Sequence, residues 1–212
     1  MLQFIIPIFL VFASPAREYT TKPAGKMRAA KPAKRRAFIP TVNGLTSTQQ
    51  YQIMCWSVKK WEAYKKKPYY CQAGKRTVGW GFTDVKAVQD VHHADRIFKA
   101  KIEECYAQIN ARFPNFTYMQ KSVLVSLLYN TGDMKGIENS GFVKYLERGQ
   151  KAKAVKRLLM WNKVKDPNTG KRFVSRGLVN RRKFEAKLIE GTFGIEDYNE
   201  LKKEVTYKYT AK

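Results

Sequence analysis

Three residues whose types could together break a glycosidic bond lie close together in the sequence: Glu62, Cys71 and Thr77. Eight residues separate the acid from the thiol, and five separate the thiol from the hydroxyl. A carboxylic acid can protonate a leaving sugar oxygen while a second group assists attack at the anomeric carbon. The segment from Trp61 to Thr83 is therefore the first candidate for an active site.

Each of the three residues also has an ordinary structural explanation. A glutamate at a helix end is commonly a solvated surface residue, a lone cysteine in a strand is commonly buried and inert, and threonine is a good strand former. Cys71 could act as a base or a nucleophile only as the thiolate, which the basic neighbours Lys75 and Arg76 would favour. Residue types alone leave the catalytic and the structural interpretations open.

A helix followed by a hairpin is predicted to position these residues. Thr46 and Gln49 form a capping-box pattern at the start of the helix. Glu62 continues the apolar stripe of that helix, and Pro68 is expected to stop it; the stripe consists of Tyr51, Met54, Cys55, Val58 and Trp61. Residues 69–71 and 76–81 then predict the two strands of a small hairpin, with its turn at 72–75.

Helical patterns dominate the rest of the chain. Apolar residues recur at helical spacing over 94–113, and Met119 to Tyr129 is apolar nearly all round, which predicts a central buried helix. Further helices are predicted at 140–149, 151–161 and 176–190, with a loop from Asn162 to Arg172. We therefore predict an α+β fold, a mostly helical domain over residues 45–192 with a small β-hairpin or sheet element. Residues 193–212 are expected to form a polar C-terminal extension.

The N-terminal 44 residues are expected to lie outside the folded domain. Residues 1–16 carry no charge and include an apolar run that is short for a membrane span. They fit a signal peptide, with a short N-terminal anchor as the alternative. Residues 17–44 are basic and contain three prolines, which predicts a disordered linker. We expect export to the periplasm or the extracellular side of a bacterial cell envelope, with transient membrane anchoring by the N-terminal segment as a further option.

The net charge of the chain is strongly positive, at +24 over 212 residues. Residues 17–44 contribute +7, from eight Lys or Arg and one Glu, so +17 falls on residues 45–212. Charge of this size indicates polyanionic partners rather than a fold. The sequence has no zinc-ligand spacing, RNA-binding strand motif or basic heptad region, so nucleic acid is not expected as a partner. An anionic cell-envelope surface is the expected one.

The cysteine count is odd, which leaves at least one thiol unpaired in a monomer. The three are Cys55, Cys71 and Cys105. In an exported protein Cys55 and Cys105 could pair and leave Cys71 free, but the sequence does not choose among the three possible pairs.

Residues 45–190 resemble the phage-type lysozymes of glycoside hydrolase family 24. That family has Glu at the end of its first helix, then eight residues, Asp or in some members Cys, five residues and Thr. Its Thr-Ile-Gly-Tyr-Gly-His-Thr run corresponds to residues 77–83, and its Phe-Asn-x-Gly to residues 129–132. Its Trp before a glycine-containing loop corresponds to Trp161, and its Gly-Leu-x-x-Arg-Arg-x-x-Glu to residues 177–185.

The resemblance implies a peptidoglycan hydrolase that cleaves the β-1,4 bond between N-acetylmuramic acid and N-acetylglucosamine and so lyses bacterial cell walls. Glu62 would be the general acid, Cys71 would replace the catalytic Asp, and Thr77 would position the attacking water. Trp80 and Asn130 are expected to bind the glycan strand. We expect no cofactor and no metal, and a monomer that acts on peptidoglycan glycan strands.

Two positions depart from the family pattern. Phe82 stands where the family usually has His, and Ala63 replaces the Gly that usually follows the Glu. The alternative function is a non-catalytic cationic protein that binds cell walls or perturbs membranes on a lysozyme scaffold. The role of Cys71 as base, nucleophile or regulatory thiol is open from the sequence.

Overall fold

The computed structural model describes residues 43–71 and 73–210, without the side chains of 207–210. The predictions for residues 1–16 and for 17–42 lie outside these residues. The first half contains α1 (Ser47–Lys59), β1 (Lys65–Tyr70), β2 (Arg76–Gly79), α2 (Val91–Arg112) and α3 (Tyr118–Thr131). The second half contains α4 (Met134–Glu138), α5 (Gly141–Glu147), α6 (Lys151–Leu159), β3 (Lys163–Lys165), β4 (Arg172–Val174), α7 (Arg176–Glu190) and α8 (Ile195–Thr210). The architecture is the predicted α+β fold, mostly helical with two small antiparallel sheets.

Helix α1 begins as predicted but ends before the candidate acid. Thr46 and Gln49 form the reciprocal capping box. The helix ends at Lys59, and the Trp61 N–H donates to the Val58 carbonyl in a final tight turn. Glu62 therefore lies just past the helix, in the short link to β1, and Pro68 lies inside β1 instead of stopping α1. The prediction was wrong here because the chain turns into a paired strand before the proline is reached.

The first hairpin joins β1 and β2 with one irregularity. Tyr69 pairs with Thr77 and Tyr70 with Arg76, whereas the register shifts between Lys65 and Tyr69. Pro68 lies in the shifted stretch, where its missing N–H removes no regular ladder bond. The hairpin extends one step past β1, since the Cys71 N–H donates to the Lys75 carbonyl at 3.0 Å. This extension fixes the backbone at Cys71.

The buried centre of the fold is α3, as its all-round apolar sequence predicts. It begins with a capping box between Thr117 and Gln120 and ends at Gly132 in the left-handed conformation. Its flanks pack against α1, α2 and α7. Ser126 is fully buried on this helix, which means that its hydroxyl must find a partner inside the protein.

A second hairpin replaces the predicted loop from Asn162 to Arg172. Strands β3 and β4 pair in register from Lys163 with Val174 to Lys165 with Arg172. The Asp166 carboxylate accepts from the N–H groups of Asn168 and Thr169 and so fixes the turn. At the tip, Pro167 lies against Gly74 of the first hairpin, where an added Cβ would approach its ring carbons to 3.1 and 3.3 Å.

The C-terminal segment belongs to the folded core, and the expected polar extension is not what the structure contains over residues 193–210. Helix α8 packs against α1, and Tyr198, Leu201 and Val205 are buried. At the other end, Asn43 donates its amide N–H groups to the carbonyls of Gly191 and Phe193. Within the described residues, none of the helices is both long enough and apolar enough to cross a membrane.

Candidate active site

Glu62 is held where the link after α1 meets α7 and the turn after β2. Its Oε1 accepts a hydrogen bond from Nη1 of Arg181 at 3.0 Å. Its side chain retains 19 % exposure, whereas that of Arg181 retains 3 %. The carboxylate is therefore oriented by a buried guanidinium but can still be reached from solvent, as an acid acting on a bound substrate must be.

The other carboxylate oxygen of Glu62 lies against Gly81. A Cβ on Gly81 would lie 2.6 Å from Oε2, closer than real contacts allow, and the φ of Gly81 is +88°. Glycine is needed here for both reasons, the close approach and the left-handed backbone. Gly81 therefore fixes how near the β2 turn comes to the carboxylate.

Cys71 and Thr77 share a face of the first hairpin with Tyr69. Thr77 is directly paired with Tyr69, and directly paired residues of an antiparallel ladder project from the same face. Cys71 lies two residues after Tyr69, so it continues that face. Its thiol is half-buried. The hairpin thus brings the sequence-predicted thiol and hydroxyl to one side.

Tyr69 links Glu62 to this face. Burial raises the pKa of the Tyr69 hydroxyl, and the negative charges of Glu62 and Cys71 raise it further. Both groups therefore lie within electrostatic reach of one phenol.

Thr77 is more enclosed than a freely exposed water-binding residue would be. It is 3 % exposed, and its Oγ1 donates to the Lys75 carbonyl at 2.9 Å. The hydroxyl proton is committed to this turn, so only the oxygen lone pairs remain to accept from a water molecule.

Trp80 lies in the core, which does not support the expected contact between its ring and a glycan. It is 1 % exposed, and its indole N–H donates to Asp95 at 2.7 Å. Lys59 pairs with the same Asp95 oxygen and lies over the Trp80 ring, 4.8 Å from its centroid. The Trp80 carbonyl accepts from the Tyr129 hydroxyl at 2.6 Å. These contacts anchor the hairpin to the helical body.

Asn130 is exposed near the C-terminal end of α3. Its Oδ1 accepts from Nη2 of Arg182 at 3.3 Å. Arg182 thus restrains the side-chain amide from within the protein, and the position of Asn130 is compatible with the expected glycan contact.

Arg181 is the residue of this site whose role the sequence did not reveal. Arg181 and Arg182 of α7 are only 2 % and 1 % exposed, so neither belongs to the basic surface of the protein. The signal available in the sequence was the spacing of Arg181 and Glu185, one helical turn apart. The contact with Glu62 spans 119 positions, and no local pattern indicates it.

All three cysteines are free thiols. Burial raises the pKa of Cys55 and that of Cys105 to about 11 each. These two thiols are therefore poor nucleophiles near neutral pH.

The chain matches the family model described as phage lysozyme over residues 59–185, which is more than half its length. It is also 31 % identical over 137 residues to an endolysin from Acyrthosiphon pisum secondary endosymbiont phage 1, covering 63 % of this chain and 92 % of that protein. The chain belongs to the phage lysozyme family. The prediction of a lysozyme-type glycoside hydrolase that acts on peptidoglycan is confirmed at the level of the family.

Solved structures agree with this family assignment. The endolysin from Escherichia coli O157:H7 phage FAHEc1 is 27 % identical with a TM-score of 0.57, and the match covers 66 % of this chain and 93 % of that one. The muramidase domain of SpmX from Asticaccaulis excentricus has a TM-score of 0.55 at 19 % identity, covering 65 % of this chain and 95 % of that one. At that identity the second likeness concerns the fold alone.

The Gly81→Ala variant tests whether activity depends on the position of the Glu62 carboxylate as well as on the stability of the fold. Gly149 offers a matched control, because its φ is +68° but no atom lies within 4 Å of an added Cβ. We expect each alanine variant to lose about 1–2 kcal/mol of unfolding free energy from the left-handed backbone. Only Gly81→Ala should displace the flexible end of Glu62, lowering kcat about 100-fold. Equal activity of the two variants, with unfolding followed by circular dichroism, would contradict this assignment.

Proposed function

We propose that this phage lysozyme family member cleaves the β-1,4 bond between N-acetylmuramic acid and N-acetylglucosamine, with Glu62 as the proton donor and Cys71 as the group that assists water. The observation that carries the proposal is the geometry of Glu62. Its Oε1 accepts from the buried Arg181, its Oε2 lies beside Gly81, and its side chain can still be reached from solvent. Cys71 and Thr77 lie on one face of the first hairpin, and the resemblance to family 24 supports the same positions.

Glu62 has one oxygen free for the proton. Arg181 donates to Oε1, so the proton to be transferred belongs on Oε2, beside Gly81. In the proposed step the proton moves from Oε2 to the glycosidic oxygen as the bond to the anomeric carbon breaks. The leaving sugar departs as a neutral alcohol, and Glu62 is left as a carboxylate that Arg181 stabilises.

Cys71 would supply the base in the same step. Its thiolate takes a proton from water as the water oxygen bonds to the anomeric carbon on the opposite face of the sugar, which gives inversion. The chain has no carboxylate between Glu62 and Asp84, and five lysines or arginines fall in that interval. Only the thiolate form of Cys71 can take this proton. The Thr77 oxygen would accept from the same water and orient it.

The Glu62→Gln variant tests the proton donor. Glutamine keeps the size of the side chain but has no proton to give, so we expect kcat to fall by about 10²–10⁴-fold with the circular dichroism spectrum unchanged. Mass spectrometry of muropeptides released by the wild-type protein should show muramic acid at the reducing ends. Unchanged clearing of purified peptidoglycan by the variant would favour the alternative, a cationic protein that disrupts walls without hydrolysis.

Alkylation tests the thiol. We expect Cys71→Ala to lose about 100-fold or more in kcat, because the base is missing, and Cys71→Asp to retain or exceed wild-type activity. Iodoacetamide should inactivate the wild-type protein but spare Cys71→Asp, which still contains Cys55 and Cys105 as internal controls. Full activity of Cys71→Ala, or equal inactivation of both proteins by the reagent, would remove the thiol from the mechanism.

The positive charge of the protein supports a second, non-catalytic contact. Residues 65–67 of β1 are consecutive exposed lysines on the strand that leads to Cys71. We infer that these lysines hold the enzyme to the anionic cell envelope while the site acts on glycan strands. The same reasoning supports action outside the cytoplasm, in the periplasm or at the cell surface, where the polymer is found. The chain would act there as a monomer.

Matched removal of charge tests the location of this contact. Changing the lysines 65–67 to Gln lowers the net charge by three, as does changing the exposed Lys151, Lys153 and Lys156 of α6. We expect the β1 variant to bind isolated cell walls more weakly and to show a shallower dependence of binding on salt, because fewer ion contacts remain to be screened. If both variants lose binding equally in a pelleting assay, the net charge of the protein, and not the position of lysines 65–67, accounts for the contact.

A further inference from the structure

Helix α7 carries a group of buried charges, of which the proposed mechanism uses Arg181 alone. Arg181, Arg182 and Glu185 are 2 %, 1 % and 0 % exposed. Charged side chains are rarely buried to this extent, and each requires a partner when it is. Arg181 contacts Glu62 directly, and Arg182 contacts Asn130.

Ser126 of α3 is the junction of this cluster. Its hydroxyl donates to Oε1 of Glu185 at 2.6 Å and accepts from Nε and Nη2 of Arg181 at 3.2 and 3.0 Å. The Ser126 carbonyl accepts from the same Nη2 at 3.1 Å. A planar guanidinium held along one edge cannot rotate, so its remaining nitrogen, Nη1, is aimed at Glu62.

Glu185 divides its charge between the two arginines. Its Oε1 lies 3.4 Å from Nε of Arg181, and its Oε2 lies 3.0 Å from Nη1 of Arg182. When Glu62 is ionised, the two acids balance the two arginines. When Glu62 carries the proton required for catalysis, Glu185 is the remaining anion against two buried cations.

We propose that Glu185, acting with Ser126 on Arg181, is a positioning residue that allows Glu62 to hold its proton beside an arginine. An unopposed buried cation would strongly favour the ionised form of Glu62. Glu185 offsets the positive charge of Arg181, and Ser126 keeps the Arg181 guanidinium directed at Glu62. The inference rests on the proposed role of Glu62 as proton donor.

The other titratable groups that face Glu62 do not account for a difference in pH profile between the variants compared below. Tyr69 of β1 and Tyr129 of α3 both have a pKa raised first by burial and then by the charge of Glu62, so both stay neutral. Cys71 lies on the same face and is unchanged in all of these variants. Arg182, on the far side of Glu185, has a pKa lowered to about 10, chiefly by burial, and stays protonated at neutral pH.

A purely structural role would give a different result from the one we expect. Buried ion pairs contribute little net stability relative to apolar packing, because desolvation offsets their attraction. A cluster kept only for folding would change the unfolding transition when altered and leave the pH dependence of turnover untouched. The pH profile is thus the measurement that separates the two roles.

The test compares Glu185→Gln with Glu190→Gln. Both variants lose one negative charge from α7, but Glu190 is exposed. One limb of the pH profile of kcat/KM on purified peptidoglycan should move to lower pH by about one unit in Glu185→Gln, since Arg181 then acts on Glu62 unopposed. Glu190→Gln should keep the wild-type profile. An unshifted limb in folded Glu185→Gln, or a loss that is uniform across pH and matched by a lower Tm, would overturn the proposal.

A second variant covers the case in which Glu185→Gln does not fold. Ser126→Ala retains both charges and the carbonyl contact but removes the hydroxyl that aligns Arg181, so kcat should fall about tenfold with KM and both limbs of the pH profile unchanged. Full kcat in Ser126→Ala would overturn the positioning role. Glu62→Gln distinguishes a failure of the proposed function from a failure of the role of Glu185 and Ser126. If it is active, the proposed function fails. If it is inactive while the other variants behave as wild type, only the present inference fails.

Discussion

The contact between Arg181 and Glu62 is the interaction on which the site depends. It joins α7 to the link after α1 across 119 positions of sequence and fixes an acid whose neighbouring backbone is neither helix nor strand. A buried guanidinium imposes its own demands on the fold, because its donors need acceptors and its charge needs an opposite charge. Those demands explain the hydroxyl of Ser126 in the middle of an apolar helix and the carboxylate of Glu185 without solvent exposure.

The sequence predicted what local chemistry determines. The capping box of α1, the buried character of α3 and the first hairpin all follow from residues near one another in the chain. The end of α1 was placed too late because the pairing of β1 with β2, a tertiary event, takes the chain out of the helix before Pro68. The second hairpin depends on the turn that Asp166 caps, a signal available in the sequence but interpreted as a loop. Trp80 was misjudged because an aromatic between two glycines fits an open cleft wall as well as a core contact, and only the Asp95 and Lys59 contacts decide.

The cysteine at position 71 changes what the enzyme demands of its surroundings. A carboxylate base is ionised at neutral pH with little help, whereas a thiol requires positive charge nearby to become the reactive form. The segment around Cys71 is rich in lysine and arginine, so the lysines proposed to hold the envelope lie in the same segment as the proposed base. Burial raises the pKa of Cys55 and that of Cys105, which leaves these two thiols poorly reactive near neutral pH.

Phe82 has a consequence for acid tolerance. It stands where family members usually have an imidazole, and its ring is 2 % exposed, packed so tightly on Gly79 that an added Cβ there would lie 2.6 Å from it. Dispersion, the exclusion of water and the two backbone hydrogen bonds between Val78 and Phe82 hold this corner of the hairpin, and none of them depends on protonation. Position 82 therefore has no imidazole to titrate, and the packing at this corner of the hairpin is the same at mildly acidic pH as at neutral pH.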